Sequence, residues 1–316
     1  MHDRDILISV AVPLFNEEES APVLYQQLKT VMDALNVGYE IIFVDDGSSD
    51  GTFDVARRIA ENDPCLRVIK FRRNFGQTPA MSAGIDHARG EIIVTMDGDL
   101  QNDPSDIPHF IDEIQAGYDI VVGWRHKRKD KLITRKIPSR IANWLIGTVT
   151  GVPIKDNGCS LKAYRANVIK NVALYSEMHR FIPAMANITG ARVKQIKVQH
   201  HARQFGESKY GLSRIYKVLV DLAGISTIRA ASNAPARWFA VLSAPFFLVG
   251  TVTMIAAFAD STSVAGEFST ILAGTGLTFL ALAMSLVLSG VLVELLVRTG
   301  DITSRHLVRN TFRIHK

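Results

Sequence analysis

Short apolar runs alternate with amphipathic stretches along the first part of the chain. ILISVAVPL is followed by SAPVLYQQLKTVMDAL, YEIIFV by GTFDVARRIA, LRVIKF by TPAMSAGIDHA and EIIVTM by PSDIPHFIDEIQ, and the series reaches YDIVVG. Apolar runs of this length, separated by segments of helical period, predict βαβ units and a mostly parallel, Rossmann-like α/β sheet. Ligands of such sheets bind in the loops at the carboxyl ends of the strands. After Gly123 a basic stretch, WRHKRKDKLITRK, leads into a predicted helix around Ser139 to Val149. IKDNGCSLKAYR reads as a turn and a strand, and VKQIKVQ alternates as a further strand.

From Leu212 to Ala231 the period is helical again, with Ile215, Leu219 and Leu222 on one face and Arg214, Lys217 and Asp221 towards the other. This pattern fits an interfacial helix lying against a bilayer or an ordinary docking helix. Two runs without Asp, Glu, Lys or Arg follow, Trp238 to Ala259 and Phe268 to Val293. At ~1.5 Å per residue either crosses a ~30 Å hydrocarbon core as a helix. Buried core helices are the alternative, but soluble helices of this length seldom lack a polar stripe.

Charge then orients the spans. The connector Asp260 to Glu267 has no Lys or Arg, whereas Arg229 and Arg237 precede the first span and Arg298, Arg305, Arg309, Arg313 and Lys316 follow the second. The positive-inside rule therefore puts the N-terminal domain and both termini in the cytoplasm. The expected domains are 1–211 catalytic, 212–236 juxtamembrane, 237–297 two spans with a short external loop, and 298–316 a basic tail. The start lacks the layout of a signal peptide, and Cys65 and Cys159 make no disulfide framework. The net charge of +5 could serve nucleic acid, but beside a membrane anchor it fits anionic headgroups and phosphorylated substrates, and no nucleic-acid partner is expected.

Three strand-end loops hold the candidate chemistry. IIVTMDGDLQND places Asp97 and Asp99 two residues apart. Like charges this close repel unless a cation lies between them, and Mg²⁺ or Mn²⁺ suits such oxygen donors. Gln101 adds a neutral oxygen, and Asp103 reads as a turn or cap residue before Pro104. The alternative for the pair is that Asp97 caps a turn and Asp99 begins a helix. YEIIFVDDGSSDGT contributes Asp45 and Asp46, with Ser48, Ser49 or Asp50 expected to cap the next helix. PLFNEEES supplies Asn16 and Glu17, and because GxGxxG is absent there, a nicotinamide dinucleotide loses its main support.

Taken in order, PLFNEEE, VDDGSSDGT, RNFGQTPAMSAGIDHARGEIIVTMDGDLQNDP and ARQFGESKYG resemble a family 2 glycosyltransferase. The chain is most similar to the polyprenyl-phosphate glycosyltransferases, such as dolichyl-phosphate mannose synthase and the two-span bactoprenol glucosyltransferases. The resemblance implies a GT-A type fold. It also implies nucleotide-sugar binding by Pro13, Phe15, Asn16, Glu17, Asp46, Asp97, Gly98, Arg203 and Lys209, and a metal ion on Asp97, Asp99 and Gln101. Arg125 and Asp156 fall where relatives place catalytic groups, and Arg125, Arg140, Arg203 and Ser208 are candidates for the acceptor phosphate. The polymer synthases of the superfamily have a QxxRW motif; Arg237-Trp238 is preceded by Ala234, so a one-step transferase is expected.

The expected reaction is inverting transfer of a hexose, glucose from UDP-glucose, to undecaprenyl phosphate at the cytoplasmic face of a bacterial inner membrane. A GDP-mannose donor and a non-catalytic membrane-tethered sugar-nucleotide binder are the alternatives. The resemblance further implies a homo-oligomer, such as a tetramer. A phosphate acceptor with a second pKa of ~6 is mostly dianionic at neutral pH and needs positioning more than a base. Asp156 is therefore either a base or an orienting group. A glycosidase would need carboxylates ~5 Å or more apart flanking the sugar, which a single short loop does not suit.

Overall fold

The computed structural model describes residues 6–126, 147–148, 153–172, 181–183, 185, 190–202, 234–261 and 270–299. The predicted alternation is present. Strands β1 (Ile8–Leu14), β2 (Tyr39–Asp45), β3 (Leu66–Lys70), β4 (Ile92–Thr95) and β5 (Ile120–Arg125) are interleaved with helices α1 (Ser20–Ala34), α2 (Thr52–Asn62), α3 (Gln77–His87) and α4 (Ile107–Gln115). Strands β6 (Lys162–Arg165) and β7 (Val193–Val198) complete a seven-stranded sheet of order β3-β2-β1-β4-β6-β5-β7.

All pairings are parallel except those of β6, which runs antiparallel to both β4 and β5. Six strands therefore point the same way, and the ends of β1, β2, β4 and β5 lie along one edge. Helices cover both faces, which is why β1, β2 and β4 read as continuous apolar runs rather than alternating ones. Ile8, Val10 and Val12 pack in one core layer with Leu24, Leu28 and Phe110, and Ile42, Val44 and Ile93 in a second with Met81 and Ile85.

At the opposite end of the sheet Glu40 is buried on β2. Its carboxylate accepts hydrogen bonds from Ser9 Oγ (2.8 Å), the Arg89 amide (2.7 Å) and Arg67 Nη1 (2.8 Å). Burial alone would raise its pKa; Arg67, the Arg89 amide and Ser9 outweigh burial and hold it below the ordinary glutamate range. A depressed folded pKa stabilises above the unfolded pKa and is lost as pH falls through the folded value. Glu40→Gln is therefore expected to cost about 1–3 kcal/mol near neutral pH, with the gap from wild type closing below about pH 4. Urea unfolding of both proteins between pH 3 and 8 measures it.

The two apolar runs form helices α5 (Pro235–Ser261) and α6 (Thr270–Thr299). Both are long and apolar enough to cross a membrane, by length and composition. They pair closely: a Cβ on Gly250 would meet the Gly276 carbonyl oxygen at 3.0 Å and Leu280 Cγ at 2.8 Å. Small residues let apolar helices approach in this way. Near the first end of α5 the Ala236 amide donates to the Glu294 carboxylate of α6 at 3.1 Å, satisfying one of the free amides of a helix start. Gly250→Leu is expected to separate the pair and lower the apparent melting temperature of detergent-solubilised protein. The predicted helix at 212–231, the rest of the 139–149 helix beyond residues 147 and 148, most of the 260–267 connector and the 300–316 tail lie outside the described residues.

Candidate active site

The first two loops are stitched together by backbone amides. Asn16, in the left-handed region at φ 53°, donates its amide to Ser48 Oγ (2.9 Å), and its own Oδ1 accepts the Ser49 amide (2.9 Å). The Glu17 amide donates to Thr52 Oγ1 (2.8 Å), and Glu18 Oε2 accepts the Gly51 amide (2.9 Å). The expected helix cap is corrected here. Helix α2 starts after Gly51 without a side-chain cap bond, because Ser48 and Ser49 are turned to the first loop. Only Asp50 serves that turn, accepting the Thr52 amide at 3.0 Å.

The Asp45–Asp46 pair divides its work. Asp46 accepts the Phe75 amide on one oxygen (2.8 Å) and the Gly76 amide on the other (2.9 Å), which fixes the turn into α3. Burial keeps its pKa above the usual aspartate value, the two amides oppose this, and Asp45 adds to it. Asp45 Oδ1 accepts the Ser48 amide (3.1 Å), while its Oδ2 is buried with no hydrogen-bond partner among the described residues. A buried acceptor in that state is costly unless a donor reaches it.

The third loop approaches the first. Gly98 lies so close to β1 that a Cβ there would sit 2.3 Å from Leu14 Cδ2 and 3.2 Å from the Pro13 carbonyl oxygen. Glycine between Asp97 and Asp99 thus lets the acidic loop pack against the end of β1. Gln77, at the start of α3, donates Nε2 to Asp97 Oδ1 at 2.5 Å, and Asp99 Oδ1 accepts the Gln101 amide at 3.2 Å. Asp103 is a cap, as expected: its carboxylate accepts the Ser105 amide (2.9 Å) at the 3-10 turn Pro104–Asp106, and it also pairs with His201 (2.9 Å).

Among the described residues no three His, Cys, Asp or Glu side chains gather as a ready-made metal cage. Two carboxylates on one loop with Gln101 beside them are instead the partial set of hard oxygen donors that suits a cation sharing its shell with substrate phosphates. The residues present therefore fit Mg²⁺ or Mn²⁺ held on Asp97 and Asp99, with Gln101 as a further oxygen donor.

Arg125, the last residue of β5, meets Asp156 across 31 residues of chain. Its Nε donates to Oδ2 at 2.7 Å and its Nη2 to Oδ1 at 2.8 Å, and its amide also faces Oδ2 (3.3 Å). The side chains are 14% and 3% exposed, so the fork is shielded from water. Burial would weaken the guanidinium's hold on its proton; Asp156, with Asp97 contributing from a distance, more than restores it. Next to them the Cys159 thiol is pushed up to about 11, first by burial, and stays protonated.

The described candidates Phe15, Asn16, Glu17, Asp46, Asp97, Gly98, Asp99 and Gln101 thus lie on adjoining loops at one edge of the sheet, with Pro13 at the end of β1 and the Arg125–Asp156 fork at the end of β5. Arg140, Arg203, Ser208 and Lys209 lie outside the described residues. Sequence reasoning missed Gln77, although the residue stands at a helix start directly after a glycine at φ 104°.

A mostly parallel sheet with an acidic loop after β4 and one reversed strand beside it is the arrangement of a GT-A type glycosyltransferase. The chain belongs to glycosyl transferase family 2, whose profile matches residues 9–177. It is 41% identical to a dodecaprenyl-phosphate galacturonate synthase of Rhizobium johnstonii, over 98% of this chain and 94% of that one. It is 37% identical to an undecaprenyl-phosphate 4-deoxy-4-formamido-L-arabinose transferase of Edwardsiella ictaluri, over 77% of this chain and 73% of that one. Among solved structures it shares its fold with glucosyl-3-phosphoglycerate synthase from Mycobacterium tuberculosis in complex with UDP. That match has 18% identity and a TM-score of 0.54, and covers 71% of this chain and 80% of that one.

Proposed function

We propose that this glycosyltransferase moves a sugar from a nucleotide sugar to polyprenyl phosphate, in one inverting displacement that releases a nucleoside diphosphate. The observation that supports this most is the placing of the Asp97–Asp99 loop and the Arg125–Asp156 fork at the same edge of the sheet. The 41% identical relative, named for a dodecaprenyl-phosphate product, supports the lipid acceptor.

Asp97, Asp99 and Gln101 would hold Mg²⁺ or Mn²⁺; glucosyl-3-phosphoglycerate synthase from Mycobacterium tuberculosis, which shares the fold, has itself been solved with Mn²⁺ and UDP-glucose bound. When bound, the cation supplies charge stabilisation for a departing diphosphate. The Pro13–Glu17 segment and the turn bearing Asp46 would form the nucleotide side. Asp156 has both oxygens committed to Arg125, so it orients the guanidinium rather than taking a proton. Arg125 in turn steers a phosphate dianion that is already nucleophilic near neutral pH. Arg140, Arg203, Ser208 and Lys209 are proposed to complete the phosphate contacts.

Glucose remains the expectation from the two-span layout, but the relatives named above transfer galacturonate and a formamido-arabinose. A UDP-linked hexuronate is therefore the first donor to test, with UDP-glucose beside it. The helices α5 and α6 would seat the enzyme in the inner membrane with the catalytic domain cytoplasmic, following the basic residues around them. Assembly as a homo-oligomer is a separate proposal, read by mass photometry in nanodiscs. The test of function supplies membranes containing the protein with a panel of nucleotide sugars, polyprenyl phosphate and Mg²⁺ or Mn²⁺, and identifies the lipid product by mass spectrometry. One donor should give a polyprenyl-phosphate sugar; no glycolipid across the panel would favour a non-catalytic sugar-nucleotide binder.

A further inference from the structure

Leu100, between Asp99 and Gln101, has φ 59° and is 3% exposed. A branched aliphatic residue rarely adopts the left-handed region, and such a conformation persists only where the surroundings fix it. On one side the Leu100 side chain is anchored in the core that also contains Leu14 and Ile107. On the other, Asn102 is 4% exposed and donates Nδ2 to Ser160 Oγ at 2.7 Å. Ser160 is itself fixed to β4, because its carbonyl oxygen accepts Thr95 Oγ1 at 3.0 Å. The backbone of Asn102 also bridges to His200, and the Gln101 carbonyl accepts the His201 amide at 2.9 Å.

Ser160 lies four residues beyond Asp156 in the chain. The Asn102–Ser160 bond therefore joins the acidic loop to the segment that bears the partner of Arg125. We propose that Asn102 is a positioning residue: with Ser160 it sets the spacing between the Asp97–Asp99 carboxylates and the Arg125–Asp156 fork. It touches neither substrate and acts through the two groups it joins. The role rests on the proposed transfer, in which one group faces the leaving diphosphate and the other the incoming phosphate. Misplacing such groups by about 1 Å costs on the order of 10²-fold in rate with little change in ground-state binding.

The test compares Asn102→Ala, Ser160→Ala, their double variant and Ser160→Thr in full-length enzyme in nanodiscs, using whichever nucleotide sugar the donor panel identifies. Each alanine variant should lower kcat by about 10–100-fold and change donor KM by less than about threefold. The double variant should be no slower than the worse single variant, because one bond is lost in all three. Ser160→Thr, which keeps the hydroxyl, should retain most of the wild-type rate. Hydrogen exchange without substrate gives an independent reading: amides of residues 97–103 should exchange faster in Asn102→Ala and Ser160→Ala than in wild type. Rate losses that add in the double variant, losses confined to KM, or unchanged exchange in that loop would overturn the proposal. If wild-type enzyme glycosylates no lipid, the functional reading falls, and the exchange comparison still decides the clamp.

Discussion

Asp99→Asn is expected to lower kcat by roughly 10³-fold, equivalent to about 4 kcal/mol of transition-state stabilisation. The change is nearly isosteric. Asp99 is 7% exposed, and an asparagine oxygen can still accept the Gln101 amide that Asp99 Oδ1 now accepts at 3.2 Å. The loop should therefore keep its shape while losing a negative charge. Asp97→Asn should behave alike, since its oxygen can still receive Gln77 Nε2. The two variants should also bind Mn²⁺ more weakly, measured by electron paramagnetic resonance in the presence of UDP. Wild-type melting temperature with a rate loss of less than about tenfold would remove these carboxylates from the chemistry.

The second large effect is expected at the Arg125–Asp156 fork, where activity and stability separate. Asp156→Asn leaves a buried guanidinium without its counter-charge, an uncompensated state that typically costs about 3–5 kcal/mol. Arg125→Met should cost a similar amount by stranding Asp156. Replacing both, as Arg125→Met with Asp156→Leu, should recover much of the stability, since an apolar pair can substitute for a buried ion pair. It should recover none of the activity, because the group proposed to steer the phosphate is gone. Thermal unfolding beside single-turnover rates distinguishes the two effects. For Asp156→Asn the rate loss should persist at high pH, where the acceptor is fully ionised; recovery there would instead assign Asp156 the part of a base.

These groups were unequally legible in the sequence. Parallel strands buried on both faces print their apolar runs directly, so β1, β2 and β4 were readable as strands, whereas β3, half-buried at the sheet edge, was readable from its place in the alternation with helical segments. The acidic loop stood out as two aspartates ending a buried strand, although turn and helix capping accounts for the same spacing, and the second acidic loop and the ordered motifs were needed to favour a cation. The reversed direction of β6 was not readable, because antiparallel and parallel pairing leave the same four-residue pattern in Lys162–Arg165. Long-range polar partners were hidden for a different reason. Gln77 with Asp97, Asn102 with Ser160 and Arg125 with Asp156 are separated by 20, 58 and 31 residues, and no local period encodes such meetings. Ser48 and Ser49 looked like caps because their local surroundings favour caps; the first loop offered them better partners. Sugar identity leaves no comparable mark in the motifs, whose proposed roles concern phosphates and metal rather than the sugar ring.

The proposed reaction is a cation-dependent, single displacement at a nucleotide diphosphate by a lipid phosphate. The nucleotide released per glycolipid formed tests it most directly, followed by ion-pair chromatography in full-length enzyme with polyprenyl phosphate and the active donor, with and without EDTA. One nucleoside diphosphate should appear per polyprenyl-phosphate sugar, with both products abolished by EDTA and restored by Mg²⁺ or Mn²⁺. Release of a nucleoside monophosphate would mean phosphoglycosyl transfer, and turnover unaffected by EDTA would contradict the part assigned to Asp97 and Asp99.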